Sequence, residues 1–203
     1  MLIARIPPFL ARVFRSLTWD IPVADKSVFL TFDDGPTPEV TDWVLEQLDT
    51  FGAKATFFCL GSNVKRQPEI FGRIIAAGHA VGNHSYSHKK GFNSSAESYV
   101  KDVDRASELI NSALFRPPYG RILPGQVRKL RERYRIIMWT VLSVDYDKQV
   151  SSRQVVRNVL HNVQPGSIIV FHDSVKASKN LYHALPEVLE QMNSEGYTFR
   201  AIR

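Results

Sequence analysis

The chain has 203 residues, 44% of them hydrophobic and 23% charged, with one cysteine and a formal net charge of +6. That length suits one well-buried core and is short for two, and no stretch approaches the ~20 uncharged apolar residues that a membrane span requires. Cys59, alone in the apolar run Thr56–Leu60, excludes an internal disulfide framework and reads as a small buried hydrophobe.

The positive charge suits an anionic polymer, a membrane surface or nucleic acid. No zinc-finger spacing, ribonucleoprotein aromatic signature or basic zipper accompanies it, so nucleic acid is not expected as a partner. The basic run Arg128–Arg135 reads as a solvated helix face.

In chain order, the first eighteen residues hold Arg5, Arg12 and Arg15 and no acid. Pro7-Pro8 and the later arginines interrupt the apolar stretch, so no cleaved signal is expected and the cytoplasm is the expected compartment. Phe9, Leu10, Val13, Phe14 and Leu17 follow helical spacing behind Pro8. This predicts a short amphipathic helix over 9–17, within an N-terminal segment 1–25 that packs on the following domain. Peripheral contact with the inner membrane face is the alternative, less favoured because interfacial helices are longer or more basic.

Seven apolar runs have strand length: Ser27–Phe32, Lys54–Leu60, His79–Gly82, Ala113–Phe115, Ile136–Val141, Ser167–Phe171 and Tyr197–Ile202. Gly52, Gly78, Gly166 and Gly196 each stand just before such a run and behind a helix-like segment, which marks a helix-to-strand junction. Helices are predicted over Pro38–Thr50 with Thr37 as cap, Ser95–Ser112, Ser151–Val163, and Asn180–Glu195 with Pro186 as a kink point. Alternating strands and helices, with strands apolar on both faces, predict a parallel sheet covered by helices. Composition does not choose between an open doubly wound sheet and a closed barrel.

Polar residues cluster just after the strands: Asp33-Asp34, His84 and His88, Arg116 to Tyr119, Asp145, and His172. In a parallel α/β protein the strand ends share one face, so these five segments converge on one site. His84 and His88 are four apart, which on a helical turn brings both imidazoles to one side for metal binding. No glutamate follows His84, so the base must come from elsewhere. An aspartate pair at a strand end is unfavourable without a nearby cation, which makes Asp33-Asp34 a natural partner, although Asp-Gly-Pro also favours a plain turn and cap. Two histidines and a carboxylate leave coordination positions open for water and substrate.

The segments TFDDGP, NHSYSH, RPPYG, a tryptophan-led stretch before Asp145, and IVFHD, in this order and spacing, resemble the polysaccharide deacetylase family over about residues 26 to 202. The resemblance implies an α/β fold, a distorted (β/α) barrel of about seven parallel strands, with a catalytic domain over 26–203 and its site at the strands' C-terminal ends. It implies Asp34, His84 and His88 as ligands of a divalent metal, zinc first and cobalt or another divalent ion as a substitute. Asp33 would be general base, held by Arg116. Tyr119 would offer its backbone N–H to the oxyanion, and His172 would be general acid, oriented by Asp145.

The implied activity is removal of N-acetyl groups from a glycan containing N-acetylglucosamine, of peptidoglycan or chitooligosaccharide type, by a chain that is monomeric by default. The same machinery could instead deformylate a lipid-linked amino sugar or remove a xylan acetyl ester. A non-catalytic carbohydrate-binding protein is the remote third reading.

The segment Leu142-Ser143-Val144-Asp145-Tyr146 departs from the family's two aspartates followed by tryptophan: Leu142 stands for the first aspartate and Tyr146 for the tryptophan. This bears on substrate preference more than on catalysis. His79, His161 and His183 read as structural or surface histidines, and Tyr86, Phe92 and Trp139 as packing residues that could also line a groove.

Overall fold

Ser27–Asp33 is buried at all seven positions, as a strand covered on both faces must be, and it lies inside the sheet with strands on either side. The computed structural model describes Ala4, Phe14 and residues 16–203. Eight strands are present among the described residues: β1 (Ser27–Asp33), β2 (Thr56–Cys59), β3 (Ala80–Asn83), β4 (Leu114–Phe115), β5 (Arg135–Ile136), β6 (Val141–Leu142), β7 (Ile168–His172) and β8 (Thr198–Phe199). They run in the order β5-β4-β3-β2-β1-β7-β6, with β8 paired to β1 off that path, and every pair is parallel. The result is a curled half-barrel of the α/β class.

The run Ile136–Val141, expected as one strand, is two. β5 pairs with β4 at one end of the sheet and β6 pairs with β7 at the other, so residues 137–140 cross the open seam between them. Ile137 N–H still bonds to Phe115 O at 2.8 Å, and Thr140 N–H already bonds to Ile168 O at 3.1 Å. Thr18 bridges Ile137 and Asp20 bridges Ser167, so residues 18–20 supply backbone partners along that seam.

Seven helices cover the sheet among the described residues: α1 (Val40–Thr50), α2 (Gly61–Arg66), α3 (Pro68–Ala76), α4 (Ala96–Ser107), α5 (Pro124–Leu130), α6 (Ser152–Leu160) and α7 (Ser178–Ser194). α4 and α6 start where their serines say they should: Ser95 Oγ accepts from Ser98 N–H and Ser151 Oγ from Gln154 N–H, both at 3.2 Å. Thr37 does not cap α1. Its N–H donates to Thr41 Oγ1 at 2.7 Å, and the helix begins at Val40 behind Glu39. Pro186 lies inside α7, which runs on to Ser194. The predicted helix over 9–17, and with it the membrane contact, falls almost entirely outside the described residues. No described helix is long and apolar enough to cross a membrane.

Side-chain alternation along β1 decides what the site can contain. Val28, Leu30 and Phe32 face the helices, where they join Val44, Leu48, Leu185 and Val188 in the main apolar core. Phe29 points the other way, into an inner cluster with Phe58, Leu114, Ile137, Ile168 and Ile202. Thr31 and Asp33 share the parity of Phe29, so they line the barrel interior directly above that apolar floor.

Candidate active site and metal centre

Above that floor sits a fully buried cation. Arg116, the residue after β4, has no solvent exposure, and its guanidinium lies 4.1 Å from the Phe58 ring centroid. Its Nη1 donates to Thr31 Oγ1 and to Asp33 Oδ1, both at 2.7 Å; Nη2 donates to Met138 O at 3.0 Å and Nε to Ile137 O at 3.3 Å. Every arm of the fork is used, so the charge is affordable where a lone buried cation would not be. Asp33 is left with Oδ1 committed and Oδ2 free of hydrogen bonds among the described residues. A carboxylate held by one oxygen can take a proton with the other.

Asp34 turns away from Asp33 on a left-handed backbone (φ 81°) and meets His84 and His88. One donor atom from each of the three lies within 4.8 Å of the others. Asp34 Oδ1 is 3.2 Å from His88 Nε2 and 3.6 Å from His84 Nε2, and it is buried with no hydrogen-bond donor. An orphaned buried carboxylate oxygen facing two imidazole nitrogens is what a cation would satisfy. The far sides of both rings are also occupied: His84 Nδ1 lies 2.8 Å from Arg116 O, and His88 Nδ1 lies 3.0 Å from the Tyr119 hydroxyl. The Arg116 carbonyl can only accept, which assigns the His84 proton to Nδ1 and its lone pair to Nε2, while the Tyr119 hydroxyl holds the His88 ring through its Nδ1.

Burial pulls His84 down to about 4, keeping it neutral as a ligand should be. Burial alone would raise Asp34, but the neighbouring His88, His172 and His84 hold it well below the usual carboxylate range.

The loop that carries the histidines is not the helical turn expected from their spacing. Ser85 and His88 both have positive φ (64° and 57°), and the Asp102 carboxylate on α4 accepts from Tyr86 N–H (3.0 Å), Ser87 N–H (3.1 Å) and Ser87 Oγ (2.8 Å). Side-chain acceptors have outcompeted helix formation here.

Across the site, Asp33 and His172 are register partners on β1 and β7. His172 Nδ1 is 2.8 Å from Asp145 Oδ1, and its backbone N–H donates to Asp145 Oδ2 at 2.8 Å. Burial would lower His172, but the charge and hydrogen bond of Asp145 outweigh it and raise it to about 9. Asp145 follows Val144, a β-branched residue at φ 64°, and the strained loop is pinned by Asn180 of α7, whose Nδ2 donates to Asp145 O, Asp147 O and Val150 O at 3.0, 3.3 and 3.1 Å.

Asp33, Asp34, His84, His88, Arg116, Tyr119, Asp145 and His172 thus stand together at the strand ends. Tyr119 sits at φ 60° beside Gly120, whose missing Cβ lets Trp139 pack against it: an added methyl would lie 2.4 Å from the indole. Tyr86 stacks under Arg105 at 3.6 Å, Phe92 is exposed, His79 Nδ1 accepts from Ala55 N–H at 3.2 Å, and Cys59 is buried.

A family model described as polysaccharide deacetylase matches residues 20–136, more than half of the sequence. The chain belongs to the polysaccharide deacetylase family. Among relatives, this deacetylase is 36% identical to a peptidoglycan-N-acetylglucosamine deacetylase of Bacillus cereus, over 88% of its own chain and 67% of the relative. It is 32% identical to the peptidoglycan-N-acetylmuramic acid deacetylase PdaC of Bacillus subtilis, over 85% of this chain and 37% of that one. The solved structure of the Bc1960 peptidoglycan N-acetylglucosamine deacetylase superposes with a TM-score of 0.89 at 33% identity, covering 97% of this chain and 95% of that one.

Sequence reasoning missed three residues of the deacetylase site, Asp102 and Asn180 as loop anchors and Asp173, and one role, that of the Tyr119 hydroxyl as partner of His88. Asp173 is fully buried; its carboxylate accepts from Gly35 N–H at 3.0 Å and Thr41 Oγ1 at 2.6 Å. It fastens the loop bearing Asp33 and Asp34 to the strand bearing His172. The acidic residue directly after His172 in IVFHD was the available signal, and burial pushes its carboxyl up to about 8.

Proposed function

We propose that the chain hydrolyses the N-acetyl group of N-acetylglucosamine units in a peptidoglycan-type glycan, with Asp34, His84 and His88 holding a divalent metal, zinc in the first instance. The observation that carries this reading is the orphaned Asp34 Oδ1 facing two imidazoles already oriented through their Nδ1 atoms. Relatives named as peptidoglycan-N-acetylglucosamine deacetylases support the choice of glycan.

A metal bound there supplies Lewis-acid polarisation of the acetyl carbonyl and a lowered pKa for water. The remaining work falls to the chain. Asp33, with Oδ1 fixed by Arg116, takes the proton of the attacking water on its free oxygen. The Tyr119 backbone N–H steadies the charge that develops on the acetyl oxygen. His172, kept protonated by Asp145, delivers a proton to the departing nitrogen, without which an amine is a poor leaving group. Acetate and the free amino sugar result. The base on β1 and the acid on β7 are register partners, so they can serve one scissile bond.

The test is acetate release from N-acetylglucosamine oligomers by the zinc-loaded protein, followed by mass spectrometry. Loss of one acetyl per deacetylated sugar, abolished by a chelator and restored by zinc, is expected. Loss of formyl from N-formyl sugars with N-acetyl sugars untouched would overturn the acyl assignment.

A further inference from the structure

α2 follows the strand that lies between the two carriers of the metal-site residues: β2 pairs with β1, which leads into Asp34, and with β3, which leads into His84. A helix start leaves its first N–H groups without intrahelical partners. In α4 and α6 a serine side chain takes one of them, whereas α2 begins behind Leu60 with no side-chain cap. Its donors go to the two loops instead. Leu60 N–H donates to Gly35 O at 3.0 Å, Gly61 N–H to Ser85 O at 3.0 Å, and Ser62 N–H to Tyr86 O at 3.1 Å. Asn63 completes the set through its side chain: Nδ2 donates to Asp34 O at 2.7 Å, and Oδ1 accepts from Arg66 Nη2. Gly61 admits this close approach, because a methyl added there would lie 2.8 Å from the Tyr86 ring and 2.9 Å from the Ala106 backbone.

We propose that Asn63 and Gly61 are positioning residues of the metal centre: through them the first turn of α2 sets the separation between Asp34 and the two histidines, and Arg66 keeps the Asn63 amide turned toward Asp34. The inference rests on the metal reading above and deepens it. Asp102 ties the histidine loop to α4 and Asp173 ties the aspartate loop to the end of β7, whereas α2 bonds to the backbone of both loops. Ligand atoms carried by separate loops must meet at metal distances fixed to about 0.2 Å. Asp34, Ser85 and His88 all stand on positive φ, and a common rigid support is what holds such loops at one spacing. Without that support the metal must order the loops as it binds, and its affinity falls. Asn63 is only partly buried and Arg66 is exposed, so neither side chain belongs to the apolar core.

The test is zinc affinity by chelator competition, beside the urea midpoint of the metal-free chain, for the unaltered protein and for Asn63→Ala, Gly61→Ala and Arg66→Ala. Asn63→Ala is expected to weaken zinc binding by about 10- to 100-fold, the scale of losing an outer partner of a metal ligand. Gly61→Ala, which pushes α2 away from the histidine loop, is expected to give a loss of the same order. Arg66→Ala is expected to give a smaller loss in the same direction with its urea midpoint unchanged. A lowered urea midpoint with unaltered zinc affinity in Asn63→Ala assigns the amide to folding alone and overturns the inference. Should Asn63→Ala and Gly61→Ala fail to fold, Arg66→Ala decides: weaker zinc binding supports the inference and unaltered binding overturns it. Absence of zinc binding by the unaltered protein overturns the metal reading itself, whereas equal binding by the unaltered protein and its folded variants overturns the role of α2 alone.

Discussion

The Asp173 carboxylate occupies the space that a Cβ on Gly35 would need: a methyl added there would lie 1.9 Å from Asp173 Oδ2. Glycine is thus required in the loop after Asp34 for the close approach of a buried carboxylate, which in turn accepts the Gly35 N–H and the Thr41 hydroxyl. Asp173→Ala leaves both donors unsatisfied in a buried setting. A loss of about 1–3 kcal/mol in unfolding free energy is expected by urea titration, together with weaker zinc binding as the Asp34 loop loosens. Unchanged zinc affinity would show that the loop does not depend on this anchor.

Arg116 is the second place where one side chain supports many. Arg116→Met removes the charge that faces Asp33 and frees Thr31 Oγ1, Ile137 O and Met138 O at once. Breaking a buried pair on one side only is expected to cost about 3–5 kcal/mol, measured by chemical denaturation. Arg116→Lys keeps the charge but cannot reproduce the fork, so activity should fall even where folding is retained.

The pair of His172 and Asp145 sets a pH dependence. His172 is raised to about 9 against an ordinary value of 6.5, so the stability it contributes is fully present below about 6.5 and is lost as pH rises through 9. The acid form needed for leaving-group protonation persists to the same limit, and kcat/KM is expected to decline on an alkaline limb near 9. In Asp145→Asn that limb should move to lower pH and the maximum should drop. A limb that stays in place would assign it to a different group.

Tyr119 contacts His88 through its hydroxyl, at 3.0 Å from Nδ1. Tyr119→Phe retains the ring and the backbone N–H but removes that partner. Zinc affinity, measured by chelator competition, is expected to weaken by about 10- to 100-fold, in line with the loss of an outer partner of a ligating histidine. An unaltered affinity would mean that the hydroxyl does not orient the ring.

The parallel α/β class and the convergence of the strand-end residues were legible because a buried strand and a helix cap leave local marks: β1 carries Val28, Phe29, Leu30 and Phe32 on both its faces, and Ser95 and Ser151 cap the helices they precede. The split of residues 136–141 was not legible. Both halves are strand-like, and only the pairing of β5 with β4 and of β6 with β7, a matter of partners distant in sequence, divides them. The turn between His84 and His88 failed for a related reason: spacing of four fits a helix, but the acceptor that reshapes the loop, Asp102, lies on α4. Thr37 shows the same rivalry on a smaller scale, since Thr41 Oγ1 captures its N–H before α1 begins.

The central claim is that Asp33 moves the proton while Asp34, His84 and His88 hold the metal, and one paired measurement on Asp33→Asn tests it: zinc content per chain together with acetate release from N-acetylglucosamine oligomers. The expected result is about one zinc retained, with turnover lowered at least 100-fold, the scale of a lost general base. Full turnover in the zinc-loaded variant, or loss of zinc in a folded one, would contradict it.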